Sequence, residues 1–201
     1  CLVSCPILWQ RKTSKIKVFY AVWFASYAVF ILFFTGPQDM SLYPPKEFSH
    51  YKLPWKAGAS RFIAQGNRSF ISHRDFSQYA WDFVMPNGTE ILAARDGQVF
   101  EVEDGFDGIG LNSNFVIIRH NDGESSVYAH ILHGGALIKV GDLVKRGQPI
   151  ALSGMVGQTI FPHLHFSVIN KKGTSSIPIS FLDVQDGVPL AGQFYTSGNS
   201  Q

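Results

Sequence analysis

Five residues in this sequence have side chains that could hold a metal ion and move protons: His73, Asp82, His130, His163 and His165. Two histidines and one carboxylate with an open fourth position are a common ligand set of catalytic zinc sites. Zinc bound in this way acidifies its water to a pKa of about 7 and polarises a carbonyl group. The two histidines that remain could take up the proton or stabilise an oxyanion. Spacing alone does not decide which histidines are the ligands, because no short helical zinc motif is present.

The last two histidines lie in a segment with the alternation of a β-strand. Within Phe161–Val168, Leu164 and Phe166 fall on one face, and His163 and His165 fall on the other. Two imidazoles on one face of a strand are roughly 6–7 Å apart, which is twice the ~3.3 Å rise per residue. That separation suits one histidine on a metal and the other beside it.

The other candidates have different surroundings. Asp82 is in the middle of the apolar segment Tyr79–Val84, where an unpaired carboxylate would be costly to bury. Either a salt bridge or a bound cation explains its position. His73 precedes it in a polar loop, and His130 follows in a predicted strand, where Tyr128 and His130 share one face.

Short alternating runs separated by Gly, Asn and Asp predict an all-β domain of the sandwich or barrel-like type. The predicted strands are Tyr79–Val84, Glu90–Ala94, Gly97–Glu103, Asn114–His120, Ser125–Ile131, Pro149–Ser153 and His163–Ile169. The turn Asn121-Asp122-Gly123 joins two of them into a hairpin.

A run without charged residues, Val18–Thr35, precedes this domain. As a helix it would span ~27 Å, about the thickness of the membrane hydrocarbon core. Four cations in residues 11–17 and no acidic residue before Asp39 predict a single-pass protein of the cytoplasmic membrane. Residues 1–17 are then cytoplasmic, and the catalytic domain is on the periplasmic or extracellular side. A cleaved signal peptide and a buried core helix are the alternatives. A poor cleavage site after the run and the lack of a polar face favour an uncleaved anchor.

The net charge, the cysteines and the prolines give further indications of the class of protein and its domain organisation. A net charge of only +2 gives no indication of nucleic-acid binding, and both cysteines, Cys1 and Cys5, precede the folded region. Leu2-Val3-Ser4-Cys5 is similar to a lipoprotein cleavage box, but the apolar run follows it instead of preceding it. The first residue is not Met, which indicates a fragment or a processed chain. Prolines in residues 36–57 predict a stiff stalk, followed by the folded domain (58–185) and a flexible tail (186–201).

Several segments in chain order resemble the lysostaphin-type (LytM-like) zinc endopeptidases, which cut peptide bridges in bacterial peptidoglycan. The resemblance covers residues 53–168, more than half of the sequence. The matching segments are Ser72-His73, Tyr79-Ala80-Trp81-Asp82-Phe83, Met85-Pro86-Asn87-Gly88-Thr89, Ala93-Ala94-Arg95-Asp96-Gly97, Tyr128-Ala129-His130-Ile131, Gly141-Asp142-Leu143-Val144, Arg146-Gly147-Gln148 and Pro162-His163-Leu164-His165-Phe166.

This resemblance implies a fold and a role for each candidate residue. The fold is mainly β, an antiparallel sheet or sandwich of the duplicated-hybrid-motif type, here preceded by the transmembrane helix. A narrow groove walled by loops would bind stem and cross-bridge peptides of peptidoglycan, with Zn²⁺ on its floor. The implied roles are zinc ligands for His73, Asp82 and His165, catalytic groups for His130 and His163, and substrate contacts for Tyr128 and Phe161.

Two positions depart from the family pattern. The commonest spacing puts the aspartate four residues after the first histidine, where this chain has Ser77. Asp82 fits a branch with a longer loop, and Asp75 is the alternative ligand. Phe161 is bulky where small residues are expected, which predicts an altered groove wall. Some relatives have lost ligands and activate other wall hydrolases, so a non-catalytic module is the alternative function.

Overall fold

The computed structural model describes residues 5–34 and 39–200. Residues 1–4, 35–38 and 201 lie outside the described residues, and with them most of the lipoprotein-like box and the junction of the predicted anchor and stalk. Cys5–Phe34 forms one helix, α1, of 30 residues. Within the two described ranges, no helix has both the length and the apolar character needed to cross a membrane.

The rest of the chain is built from short antiparallel strands. In chain order they are β1 (Ser60–Gln65), β2 (Trp81–Val84), β3 (Glu90–Leu92), β4 (Gly97–Glu103), β5 (Phe115–Arg119), β6 (Ser125–Ala129), β7 (Ile131–Ala136), β8 (Leu143–Val144), β9 (Pro149–Ser153), β10 (His163–Ile169) and β11 (Phe194–Thr196). Single 3₁₀ turns occupy Met40–Leu42, Lys46–Phe48 and Asp75–Ser77. The mainly β, antiparallel fold class is therefore confirmed, and β4, β9 and β10 have the predicted bounds.

The strands form two sheets that share one core. The larger sheet has eight strands in the order β11-β1-β2-β10-β6-β5-β4-β8, and the smaller has three in the order β3-β9-β7. The turn at residues 121–123 joins β5 to β6 as a hairpin, with Arg119 opposite Ser125. The histidine strand β10 lies between β2 and β6, and His165 is directly opposite both Asp82 and Ala129.

The alternation of each strand divides the larger sheet into two faces. We call the face that packs on the core the packed face; on it Phe83, Tyr128, Leu164 and Phe166 have no solvent exposure. The other, which we call the open face, carries Asp82 and its cross-strand neighbours. Because directly opposite residues in antiparallel strands share a face, the pairing of β2, β10 and β6 brings polar side chains from three strands together.

The predicted stalk and tail are wrong, because the described parts of both segments, residues 39–57 and 186–200, pack into the domain. Tyr51, Leu53 and Trp55, within the predicted stalk, are buried members of the core. Prolines in this segment mark irregular backbone, but burial of its aromatic and aliphatic side chains still stabilises the fold. Within the predicted tail, β11 pairs with β1, and the buried Asn199 donates hydrogen bonds to Leu53 O and Ala93 O.

Candidate metal centre

Three predicted ligands come together on the open face. His73, Asp82 and His165 each offer one ligand atom, and these atoms all lie within 4.8 Å of one another. His73 Nε2 is 3.2 Å from Asp82 Oδ1, and His165 Nδ1 is 2.9 Å from the same oxygen. Ligand atoms around a tetrahedral zinc lie ~3.3 Å apart when each is ~2.0–2.1 Å from the metal. The donor types and their separation therefore fit a small tetrahedral cation such as zinc.

Strand pairing and one loop position these ligands. Asp82 on β2 and His165 on β10 are a directly opposed pair, so the register of the sheet fixes their separation. His73 comes from the loop between β1 and β2 and is fully buried. Its Nδ1 is 2.8 Å from Gly66 O. Because a carbonyl oxygen only accepts, Nδ1 carries the proton and Nε2 presents its lone pair to the centre.

His163 lies beside the three ligands, two residues before His165 on the same face of β10. Its Nε2 is 3.5 Å from Asp82 Oδ1, and its Nδ1 is 2.9 Å from Phe161 O and 3.1 Å from Thr159 Oγ1. The ring of Phe161 lies against the imidazole, with 4.7 Å between ring centroids. Phe161 therefore forms part of the wall beside His163.

His130 reaches the centre through an unusual backbone conformation. Its φ is +64°, in the left-handed region, which costs a non-glycine residue energy and is concentrated at functional sites. The ring centroid lies 4.7 Å from that of His163 and 5.9 Å from that of His165. Nδ1 is 2.8 Å from Val156 O, so it donates there and leaves Nε2 as the free acceptor.

Burial and charge set the protonation of this cluster. Burial alone would raise the pKa of the Asp82 carboxyl, but the charges and hydrogen bonds of His73 and His165 outweigh it and hold that pKa well below the ordinary value. Burial lowers the pKa of His165. Burial, aided by the neighbouring His163 and His165, lowers the pKa of His130 to about 4. The Asp82 carboxylate is therefore ionised, which is the state of this ligand that binds a cation.

One predicted contact is wrong. Tyr128 is fully buried on the packed face, where its hydroxyl accepts from Ala94 N at 2.8 Å and from Ser126 Oγ at 3.2 Å. It therefore cannot touch a substrate bound at the metal centre on the open face. Tyr128 and His130 would share a face only if the strand were continuous. Strand β6 ends at Ala129, and the left-handed backbone at His130 turns its side chain to the opposite face.

The alternative ligand, Asp75, is exposed and lies in a 3₁₀ turn outside the cluster. Two residues that position His130 are absent from the sequence-based site. Ser113 Oγ lies 3.2 Å from His130 Nδ1, and Gly157 packs so closely that a β-carbon would meet Ser113 Cβ at 2.7 Å. The only signal for them in the sequence is a glycine in the loop before the histidine pair.

The family model "Peptidase family M23" matches residues 77–178, about half of the chain. Among curated proteins, the peptidoglycan DD-endopeptidase ShyB of Vibrio cholerae is 39% identical over 44% of this chain and 19% of its own length. Lysostaphin of Staphylococcus staphylolyticus is 35% identical over 52% of this chain and 22% of its own length.

Among solved structures, a zinc-containing peptidase from Vibrio cholerae is similar with a TM-score of 0.50 and 30% identity, over 64% of this chain and 38% of that one. The chain spans less than a third of the length of several curated relatives that it matches. The matched residues include Asp82, His130, His163 and His165, and they confirm the resemblance to lysostaphin-type enzymes. The chain belongs to peptidase family M23.

Proposed function

We propose that this protein is a zinc-dependent endopeptidase that hydrolyses peptide cross-links of bacterial peptidoglycan. The observation that carries the proposal is the convergence of three ligand atoms within 4.8 Å, with two further imidazoles beside them. Relatives named as a peptidoglycan DD-endopeptidase and a glycyl-glycine endopeptidase support the choice of substrate. The complete set of ligands and flanking histidines argues against a non-catalytic module.

The donor set supports zinc as the resident ion. Two neutral imidazoles and one carboxylate are borderline and hard donors, which suit Zn²⁺ in a tetrahedral site with one open position. When bound, Zn²⁺ acidifies water and polarises the carbonyl of the scissile amide. His73 Nε2, Asp82 Oδ1 and His165 Nδ1 are the atoms that would hold it.

The protein's own side chains then handle the protons. His130 is unprotonated at neutral pH, because its pKa is lowered to about 4, and its free Nε2 accepts the proton of the attacking water. The left-handed backbone and the carbonyl of Val156 hold the ring in that orientation. His163 directs Nε2 toward the centre, and in its protonated form this atom donates a hydrogen bond to the oxyanion of the tetrahedral intermediate. His130 then returns its proton to the leaving amine.

We also propose that the enzyme acts outside the cytoplasmic membrane, anchored by residues 18–35. The uncharged run and the cations that precede it support this location. Expression of the full chain followed by carbonate extraction and protease treatment of intact spheroplasts tests it. The anchor predicts a membrane-bound protein with an accessible domain, and recovery in the carbonate-soluble fraction would contradict it.

A digest of purified peptidoglycan tests the activity. Zinc-loaded protein should release peptide-linked fragments whose masses identify one type of cleaved amide bond, and a chelator should stop the release. A protein that binds zinc but releases no fragment, even at high concentration, would contradict the endopeptidase and favour the non-catalytic module. The masses also separate cleavage of glycine bridges from cleavage of cross-links between D-amino acids.

A further inference from the structure

A cavity of ≈ 330 Å³ opens on the same face of the larger sheet as the metal centre. Its floor is formed by Arg119, Ser125 and Ile169, which are paired across β5, β6 and β10. Ile169 is four residues beyond His165 on one strand and shares its face. At ~3.3 Å per residue the cavity therefore lies about 13 Å from the metal centre along the strands.

Two exposed aromatic rings wall this cavity. A bulge in β4 between Val99 and Glu101 turns Phe100 outward, where it is 46% exposed. Phe76 is 48% exposed and follows His73 in the ligand loop. Aromatic side chains that stay in water beside a cavity commonly mark a binding surface.

Cations surround the cavity without carboxylate partners. Arg119, Lys171 and Lys172 line it, and none of them forms an ion pair with any of the described residues. The guanidinium of Arg119 lies over the ring of Phe100, 3.6 Å from its centroid, and this stacking orients the fork of donors. Glu101 is the single acidic residue in the lining, so positive charge predominates.

The lysines are held in place by a fixed turn. Asn170 Oδ1 accepts from Lys172 N and Thr174 N, both at 3.1 Å, the pattern that stabilises an Asx turn. Ser176 N donates to Phe76 O at 2.7 Å, which ties this turn to the loop that carries His73. The cavity therefore shares β10 and the loop that carries His73 with the metal centre.

We propose that this cavity is a subsite that binds a carboxylate of the substrate peptide about four extended residues from the scissile bond. The inference rests on the proposed function, because it places a peptide along the open face with its scissile amide at the metal centre. Arg119 and the two lysines supply charge-assisted donors to the carboxylate, and Phe76 and Phe100 cover the aliphatic part of the same residue. The carboxylate of Glu101 repels the bound carboxylate and lowers the affinity of the subsite for it.

The test uses zinc-loaded full-length protein and synthetic cross-linked peptides in pairs. The members of each pair differ only by a carboxylate or a carboxamide on the third, fourth or fifth residue from the scissile bond. At one of these positions wild-type protein should cleave the carboxylate with a kcat/KM about tenfold higher, as expected of one charge-assisted contact. The double variant Arg119→Gln/Lys172→Gln should lose this preference and cleave the two members of that pair with similar kcat/KM.

Two matched variants control for general charge effects. Lys139→Gln removes an exposed lysine outside the cavity lining and should keep the full preference. Glu101→Gln should increase it. Raised ionic strength should reduce it in wild type, because the site is open to solvent.

The outcomes separate the subsite from the activity. Equal cleavage of both members of every pair by wild type would overturn the subsite and leave the endopeptidase standing, as would a preference that survives in the double variant. If no peptide in the series is cut, the proposed function fails, and the subsite falls with it.

Discussion

The two faces of the eight-stranded sheet use the same strands for opposite purposes. Asp82 lies between Trp81 and Phe83, and both aromatic side chains are fully buried on the packed face. His165 lies in the same way between Leu164 and Phe166. A metal site needs ligands held to within fractions of an ångström, and rigid packing beneath them provides that precision. The packed face therefore contributes stability and the open face contributes chemistry.

The largest effect is expected at His130, where a substitution should strongly reduce activity without lowering stability. His130→Asn keeps a side chain that tolerates the left-handed backbone but removes the proton acceptor. We expect kcat on peptidoglycan fragments to fall by about 10²–10⁴-fold with unchanged zinc content. His133→Asn is the matched control, because His133 is exposed and its ring bonds to Phe106 O, away from the metal ligands. Loss of activity in the control, or full activity in His130→Asn, would contradict the assignment.

A substitution that creates a cavity in the packed face should lower stability instead. Phe166 is fully buried against Phe83, Tyr128 and Phe181. Phe166→Ala should lower the free energy of unfolding by about 3–5 kcal/mol. Val127→Ala, on the half-buried open face, should cost about 1 kcal/mol. Urea denaturation measures both, and similar losses would show that the two faces are equally packed.

The packed face should also make stability depend on pH. His120 is buried, and its Nδ1 bonds to Asp96 O and its Nε2 to Ser126 Oγ. Burial lowers its pKa from 6.5 to about 4. The unfolded chain therefore binds a proton first as pH falls, and stability is lost between pH 6.5 and 4, by about 3 kcal/mol at most.

His120→Gln isolates this contribution, because the other histidines are the same in both proteins. The difference in unfolding free energy between wild type and variant should shrink as pH falls through this window. A difference that stays constant from pH 7 to pH 4 would show that His120 is not buried in its neutral form.

The smallest effect on activity is expected at Tyr128, where the sequence-based assignment failed. Tyr128→Phe removes the acceptor of the buried Ala94 N–H and should cost about 1–3 kcal/mol of stability. KM for peptidoglycan fragments should not change, because the ring faces the core. A several-fold rise in KM at unchanged stability would restore Tyr128 as a substrate contact.

The contrast between Tyr128 and His165 shows how far the sequence could predict the site. In β10 the alternation is unbroken, so both its bounds and the face of each histidine followed from period 2. At His130 one residue with positive φ reverses the alternation, and only the folded backbone shows this. Asp82 and His165 become neighbours through cross-strand register, which local patterns do not encode, and the family resemblance supplied that pairing.

The ends of the domain were mispredicted for a different reason. Prolines and polar residues around Leu53 and Trp55 predict an exposed stalk, yet these two side chains are part of the core. Asn199 is fully buried because its amide bridges two backbone carbonyls. Long-range contacts of this kind have no periodic signature, so composition alone assigned both segments to solvent.

The zinc content of ligand variants tests the central claim most directly. Wild-type protein and His130→Asn should each retain one equivalent of zinc after dialysis, measured by elemental analysis. His165→Ala and Asp82→Asn should retain almost none, because two ligands on the open face do not hold the ion. One equivalent of zinc in dialysed His165→Ala would contradict the assignment of the metal to His73, Asp82 and His165.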